Sequence, residues 1–143
     1  MRVVLDTNVL VSALLKHGGP PEQLLELWED GSFELVTSQA QTEELFRALA
    51  YDKLRRLVTR QEAEQLRRSI IDLAVFVKPT PGVSASADPD DNLILATAIA
   101  GRAPLLVSGD KKHLLPLGTV RGVRIVRPRE AMDLIRAASG QPA

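Results

Sequence analysis

The sequence predicts an α/β protein, a doubly wound parallel β-sheet flanked by helices on both faces. Two observations carry that expectation. Short apolar runs suited to strands alternate along the chain with longer stretches of helical period. The first run, Val3-Val4-Leu5, is apolar throughout, as a strand covered on both faces requires. A length of 143 residues without cysteine suits one domain spanning 1–143, large enough to bury a core without disulfides.

Arg2–Leu5 reads as the first strand, ending at Asp6. Residues 8–15 form the first expected helix, stopped by Gly18-Gly19-Pro20. A second helix, over 21–30, starts at proline, whose fixed φ suits a first turn, and sets Leu24, Leu25, Leu27 and Trp28 on one side. Residues 33–36 are the second strand. Ser38 opens a long helical region, and over 59–76 the helical period runs through Leu66, Ile70, Leu73 and on to Val77, with charges opposite. Residues 79–89 are loop-like, a connection inside one domain because neither flank alone could hold a core. Residues 92–100 are expected to form a helix closed by Gly101. Leu105–Val107 is a third strand, followed by Ser108-Gly109-Asp110, Val123–Val126 is a fourth, and Pro128–Ala138 is a final helix. In such sheets the ligand crevice opens beyond the carboxyl ends of the strands, where strand order reverses.

Eighteen basic and 18 acidic side chains cancel overall, but they come in blocks. Residues 47–68 carry seven basic and three acidic side chains, and 102–129 seven and one, whereas 1–46 carry two and eight. That pattern is a mild pointer to a polyanionic partner, with solvated helix faces as the plainer explanation. No apolar run approaches the roughly 18 residues of a membrane span. Asp6 also stands where a signal peptide would be apolar, so a soluble, cytoplasmic protein is expected. Two histidines and no cysteine argue against a zinc site. The phosphate loop, the dinucleotide fingerprint and the nucleophile elbow are all absent. Five aromatic residues are too few for a base-stacking platform.

The acids stand out by their position. Asp6 ends the first strand and Asp110 lies just past the third. Asp88, Asp90 and Asp91 cluster where the intervening helix begins, and Glu44 sits beside Leu45 at the edge of a helix's buried face. Each has an ordinary explanation: Asp6 as a helix cap, Asp88-Pro89-Asp90-Asp91 as a helix start, Asp110 in a turn, Glu44 as a half-exposed helix residue. Convergence of the acids changes the balance. Carboxylates about 5 Å apart repel by about 3 kcal/mol per pair at an effective dielectric near 20. A domain stable by about 5–15 kcal/mol would hold several of them together only with a cation. Oxygen-only ligands suit Mg²⁺ or Mn²⁺, ions that activate water and steady the leaving oxygen of a phosphodiester.

Four segments in order resemble the PIN domain family along nearly the whole chain. Val3-Val4-Leu5-Asp6-Thr7-Asn8 is similar to its opening, Glu43-Glu44-Leu45 to its helical acid motif, Asp88-Pro89-Asp90-Asp91-Asn92 to its third motif, and Val107-Ser108-Gly109-Asp110 to its fourth. The resemblance is to the VapC-like toxins of toxin–antitoxin systems. It implies a doubly wound parallel sheet, a Mg²⁺- or Mn²⁺-dependent ribonuclease, a homodimer and a cognate antitoxin protein. Carried over by position, Asp6, Glu44, Asp91 and Asp110 would be the catalytic, metal-holding acids. Asn8 and Ser108 would support them, and Asp88 or Asp90 could share the role of Asp91.

The expected chemistry is hydrolysis of RNA by in-line attack of water, leaving 5′-phosphate and 3′-hydroxyl ends. Asp6 and Asp91 would be the principal ligands, with Glu44 and Asp110 holding a second metal or positioning water. Arg55, Arg56, Arg60, Lys111 and Lys112 are expected contacts to the RNA backbone, which would make binding salt-dependent. DNA remains open as a substrate. One rival is a catalytically inactive PIN-like module that binds RNA or protein. Another is a haloacid-dehalogenase-like phosphatase, which wants a second Asp where this chain has Asn8.

Overall fold

The computed structural model describes residues 1–140. In chain order the elements are β1 (Arg2–Leu5), α1 (Thr7–Leu15), α2 (Pro20–Glu29), β2 (Glu34–Thr37), α3 (Gln39–Leu49), α4 (Asp52–Arg55), α5 (Arg60–Leu73) and β3 (Val75–Phe76). They continue with α6 (Pro89–Ala100), β4 (Leu105–Val107), a 3₁₀ turn over Leu115–Leu117, β5 (Thr119–Val120), β6 (Val123–Val126) and α7 (Pro128–Ala138). Several helix starts are set by their first residues. Ser38 caps α3 by accepting from the Gln41 N–H, Thr59 and Glu62 form a capping box on α5, and proline occupies the first turn of α2, α6 and α7.

Among the described residues the strands form one sheet in the order β3-β2-β1-β4-β6-β5. The pairs from β3 through to β6 are parallel, and only the β5–β6 edge is antiparallel. The chain winds outward from β1 through β2 to β3, then returns to β4 on the other side of β1. Strand order therefore reverses between β1 and β4, and the crevice belongs at their carboxyl ends.

Side-chain alternation divides the core between the two faces. Val3, Leu5, Leu35, Leu105, Val107 and Val126 pack with α1, α2, α3, α5 and α7, around Leu24, Trp28, Leu45, Ile70 and Ile135. Val4, Val36, Leu106, Val123 and Ile125 face the other way, onto Ile94, Leu95 and Ala98 of α6. The doubly wound, helix-covered architecture is as expected, with three corrections.

The helical period over 59–76 does not run through. The helix ends at Leu73, Ala74 turns extended (φ −74°, ψ 150°), and Val75–Phe76 pair with Val36 and Thr37 as an edge strand. A second short strand, β5, makes the sheet mixed rather than wholly parallel. Gly101 does follow α6, but at φ −83° it is not a left-handed cap. Its requirement is space, since a Cβ there would lie 2.4 Å from Val36 Cγ1. The left-handed residue is the next one, Arg102, at φ 53°.

Candidate active site

Register builds the centre of the site. Leu5 stands opposite Val107 in the parallel β1–β4 pair, so the next residues on each strand, Asp6 and Ser108, are neighbours where the sheet ends. The ladder itself continues one step, with Asp6 N–H donating to Val107 O (2.9 Å) and Ser108 N–H to Val126 O (3.0 Å). The Ser108 hydroxyl, fully buried, then donates to Asp6 Oδ2 at 2.8 Å. The Asn8 amide reaches the same oxygen at 3.2 Å. Asp6 occupies the capping position of α1 but makes no side-chain cap bond.

The other acids arrive on separate elements. Glu44 comes from α3, which is tied to the sheet end where Gln41 Nε2 donates to Leu5 O at 2.8 Å inside the core. Gln41 and Glu44 are three residues apart and share a helix face. Asp91 lies in the first turn of α6 and is only 6% exposed. Asp110 follows β4. Its backbone N–H donates to Ser108 Oγ (3.0 Å), and its Oδ1 accepts from the N–H groups of Lys112 (2.9 Å) and His113 (3.1 Å). The turn explanation therefore holds for part of Asp110. Likewise Asp88 is the cap of α6, with Oδ1 accepting from Asp90 N–H at 2.9 Å.

One cavity of about 470 Å³ collects Asp6, Glu44, Asp88, Asp90, Asp91 and Asp110, together with Thr7, Asn8 and Leu54. A larger hollow of about 700 Å³ runs along α5, lined by Arg60, Gln61, Glu64, Gln65 and Arg68. A single helix forms it and no cluster of acids faces it, so the smaller, acidic cavity at the strand-order reversal is the chemically competent one.

The electrostatics report the same convergence. Burial pushes the Asp6 carboxyl up to about 6, against the Ser108 hydroxyl and the Thr7 N–H, which favour the anion, and the charges of Asp91 and Glu44 push it further. Glu44 is raised by partial burial and by Asp90 and Asp88, with Arg47 opposing. Asp91 is raised by burial, opposed by a hydrogen bond from Ser86 and by His113, and pushed further by Asp88 and Asp110. The acids feel one another across the cavity. They share a cavity rather than a coordination sphere: among the described residues no three His, Cys, Asp or Glu side chains stand close enough to hold an ion as they lie.

Of the residues expected from sequence, Asp6, Asn8, Glu44, Asp91 and Asp110 line this cavity, and Ser108 sits behind Asp6. Arg55 and Arg56 are exposed at the end of α4, next to the cavity-lining Leu54. Lys111 and Lys112 are exposed just past Asp110. Arg60 is not brought to the cavity and faces the hollow on α5. Three polar residues were not foreseen. Gln41 fixes α3 to β1. Thr7 Oγ1, in the cavity wall, is buried without a partner among the described residues. Ser86 donates to Asp91 Oδ2 at 3.2 Å. Ser86 had a signal in the sequence, because Ser86-Ala87-Asp88 repeats the Ser-x-Asp spacing of Ser108-Gly109-Asp110.

Among the described residues no helix is long and apolar enough to cross a membrane. An uncharacterized protein of Methanocaldococcus jannaschii, MJ1680, is 27% identical over 112 residues, which cover 78% of this chain and 72% of that protein. A crystal structure of VapBC2 from Rickettsia felis, bound to a DNA fragment from their promoter, contains a chain of similar fold. The TM-score is 0.59 at 20% identity, covering 89% of this chain and 98% of that one. The sequence model of the PIN domain family matches residues 2–112. That match spans both strands flanking the crevice and all of the acids in the cavity, and the protein belongs to the PIN domain family.

Proposed function

We propose that the protein is a Mg²⁺- or Mn²⁺-dependent endoribonuclease, acting in the cytoplasm as the toxin of a toxin–antitoxin pair. The observation that carries the reading is the meeting of Asp6, Glu44, Asp91 and Asp110, from four parts of the chain, in one cavity at the strand-order reversal. Membership of the PIN domain family supports a nuclease. The likeness of fold to a chain of VapBC2 supports a cognate antitoxin as partner. A homodimer is the assembly we expect.

The donor set suits the implied ions, being oxygen-only, and burial with mutual repulsion pushes Asp6, Glu44 and Asp91 up, a cost that a divalent cation would offset. The unpartnered Thr7 hydroxyl in the wall fits a site that takes a further polar group. Asp6 and Asp91 would be the principal ligands, and Glu44 and Asp110 would complete the set or position water. When bound, the ion supplies charge stabilisation to the phosphodiester and lowers the pKa of water. Ser108 and Asn8 hold the Asp6 carboxylate through one oxygen, Oδ2. Asp88, as the α6 cap, contributes negative charge rather than a ligand. Arg55, Arg56, Lys111 and Lys112 would grip the RNA backbone around the acids.

Purified protein incubated with a mixed RNA pool, with Mn²⁺ or with EDTA and with Asp6→Asn alongside, tests the reading. Metal-dependent cutting that is lost in the variant supports it, and a DNA pool run in parallel defines the preferred sugar. Full activity of Asp6→Asn would sink the assignment. A folded, antitoxin-free protein that neither binds Mn²⁺ nor cuts RNA would instead be a binding module.

A further inference from the structure

Two serines treat two buried acids alike. Ser108 Oγ accepts from the backbone N–H two residues on, at Asp110, and donates to Asp6 Oδ2. Ser86 Oγ accepts from the backbone N–H two residues on, at Asp88 (3.2 Å), and donates to Asp91 Oδ2 (3.2 Å). In each case the N–H takes one of the hydroxyl's two lone pairs, and the hydroxyl's single proton goes to the carboxylate, which can only accept. The backbone of Ser86 is also fixed. Asn92 Oδ1 accepts from Ser86 N–H and Asn92 Nδ2 donates to Ser86 O, both at 2.8 Å. The long connection before α6 is thereby pinned at the residue that touches Asp91.

We propose that Ser86 is a positioning residue for the acidic site, holding Asp91 in its working orientation as Ser108 holds Asp6. This rests on the reading of the cavity as a metal-dependent nuclease site. It adds a residue from a loop and gives the two principal acids one design. Asn92 serves Ser86, so the segment from Ser86 to Asn92 acts as a unit whose output is the direction of one carboxylate.

The test compares full-length wild type with Ser86→Ala and Ser86→Thr. Mn²⁺ is titrated by calorimetry, RNA cleavage is resolved into kcat and KM, and crystal structures of the metal-free proteins read the Asp91 side chain. Ser86→Ala is expected to weaken Mn²⁺ binding by roughly 10-fold or more and to lower kcat with little change in KM. Asp91 leaves its wild-type rotamer in that variant. Ser86→Thr keeps the hydroxyl and is expected to restore both readouts and the rotamer. If Ser86→Ala does not fold, Ser86→Cys, of similar shape but a feeble donor, takes its place with the same expectation. Unchanged Mn²⁺ affinity with Asp91 in place would overturn the proposal, as would a threonine variant no better than alanine. Should wild type neither bind Mn²⁺ nor cut RNA, the proposed function fails, while the Asp91 rotamers of the metal-free pair still decide the role of Ser86.

Discussion

Ser108 and Asp6 are 102 positions apart in the chain, yet the serine hydroxyl donates to the Asp6 carboxylate at 2.8 Å inside the protein. No loop brings them together. Each is the first residue beyond one of the two central strands, and the parallel register that sets Leu5 against Val107 makes them neighbours. The orientation of the acid is therefore as rigid as the sheet, which is where the proposed cation site would gain most from preorganisation.

Removing that hydroxyl tests the coupling between sheet and site. Ser108→Ala leaves the buried Asp6 oxygen with the Asn8 amide alone and orphans the Asp110 N–H. Thermal or urea unfolding should show a loss of about 1–3 kcal/mol. Metal-dependent cleavage should fall by roughly 10- to 100-fold, the usual effect of losing a group that orients a ligand. A variant of wild-type stability and activity would show that the hydrogen bond fixes nothing.

The Asp6 carboxyl gives a pH prediction with a definite sign. Its pKa rises from 3.8 unfolded to about 6 folded, chiefly because burial penalises the anion. The folded protein thus holds a proton that the unfolded chain releases, so its contribution to stability is complete below about pH 4 and is lost as pH rises through 6. The difference amounts to about 3 kcal/mol at most. Asp6→Asn, neutral at every pH, should therefore melt several degrees above wild type at pH 8 in EDTA and close to it at pH 4, while losing cleavage. An equal gap at both pH values would mean that ionisation of Asp6 costs the fold nothing.

Close packing, rather than chemistry, constrains Gly101. A Cβ there meets Val36 Cγ1, and Val36 is wholly buried on the central sheet. Gly101→Ala should cost about 1–3 kcal/mol by overpacking. Val36→Ala removes the obstructing methyl groups, so the double variant should be more stable than the sum of the single losses predicts. Additive losses in a double-mutant cycle would place the strain elsewhere.

What the sequence shows of this fold is what local chemistry determines. The β1 run, the cap at Ser38, the proline starts and the whole of α7 depend on residues within a turn of one another. Val75 and Phe76 do not, because they continue the helical period of α5 and become a strand only by pairing with Val36 and Thr37. The two residues of β5 are equally invisible until β6 lies beside them. At the site, Asp6 and Asp110 are legible because strand ends are legible. Asp91 differs from Asp88 in being buried and in lacking the cap bond that occupies Asp88, differences that the sequence does not display. Gln41 reads as one more polar residue of α3, since its partner is a main-chain carbonyl on another element.

The basic residues separate into two groups, and salt dependence should show it. Arg55 and Arg56 adjoin the cavity-lining Leu54, and Lys111 and Lys112 follow Asp110 directly, so both pairs flank the acids. Arg60 lies along α5 in the hollow that also holds Glu64 and Arg68. Each cation that neutralises a phosphate of single-stranded RNA releases bound counterion, which steepens log K against log salt by about 0.7. In EDTA, where cutting is suppressed, replacing either flanking pair with alanine should flatten that slope by about 1.4 if both members touch phosphate. Arg60→Ala should leave it unchanged. Fluorescence anisotropy with a labelled RNA oligonucleotide at several salt concentrations reads the slopes directly. A slope altered by Arg60 and by neither pair would move the RNA path away from the acidic cavity and onto α5.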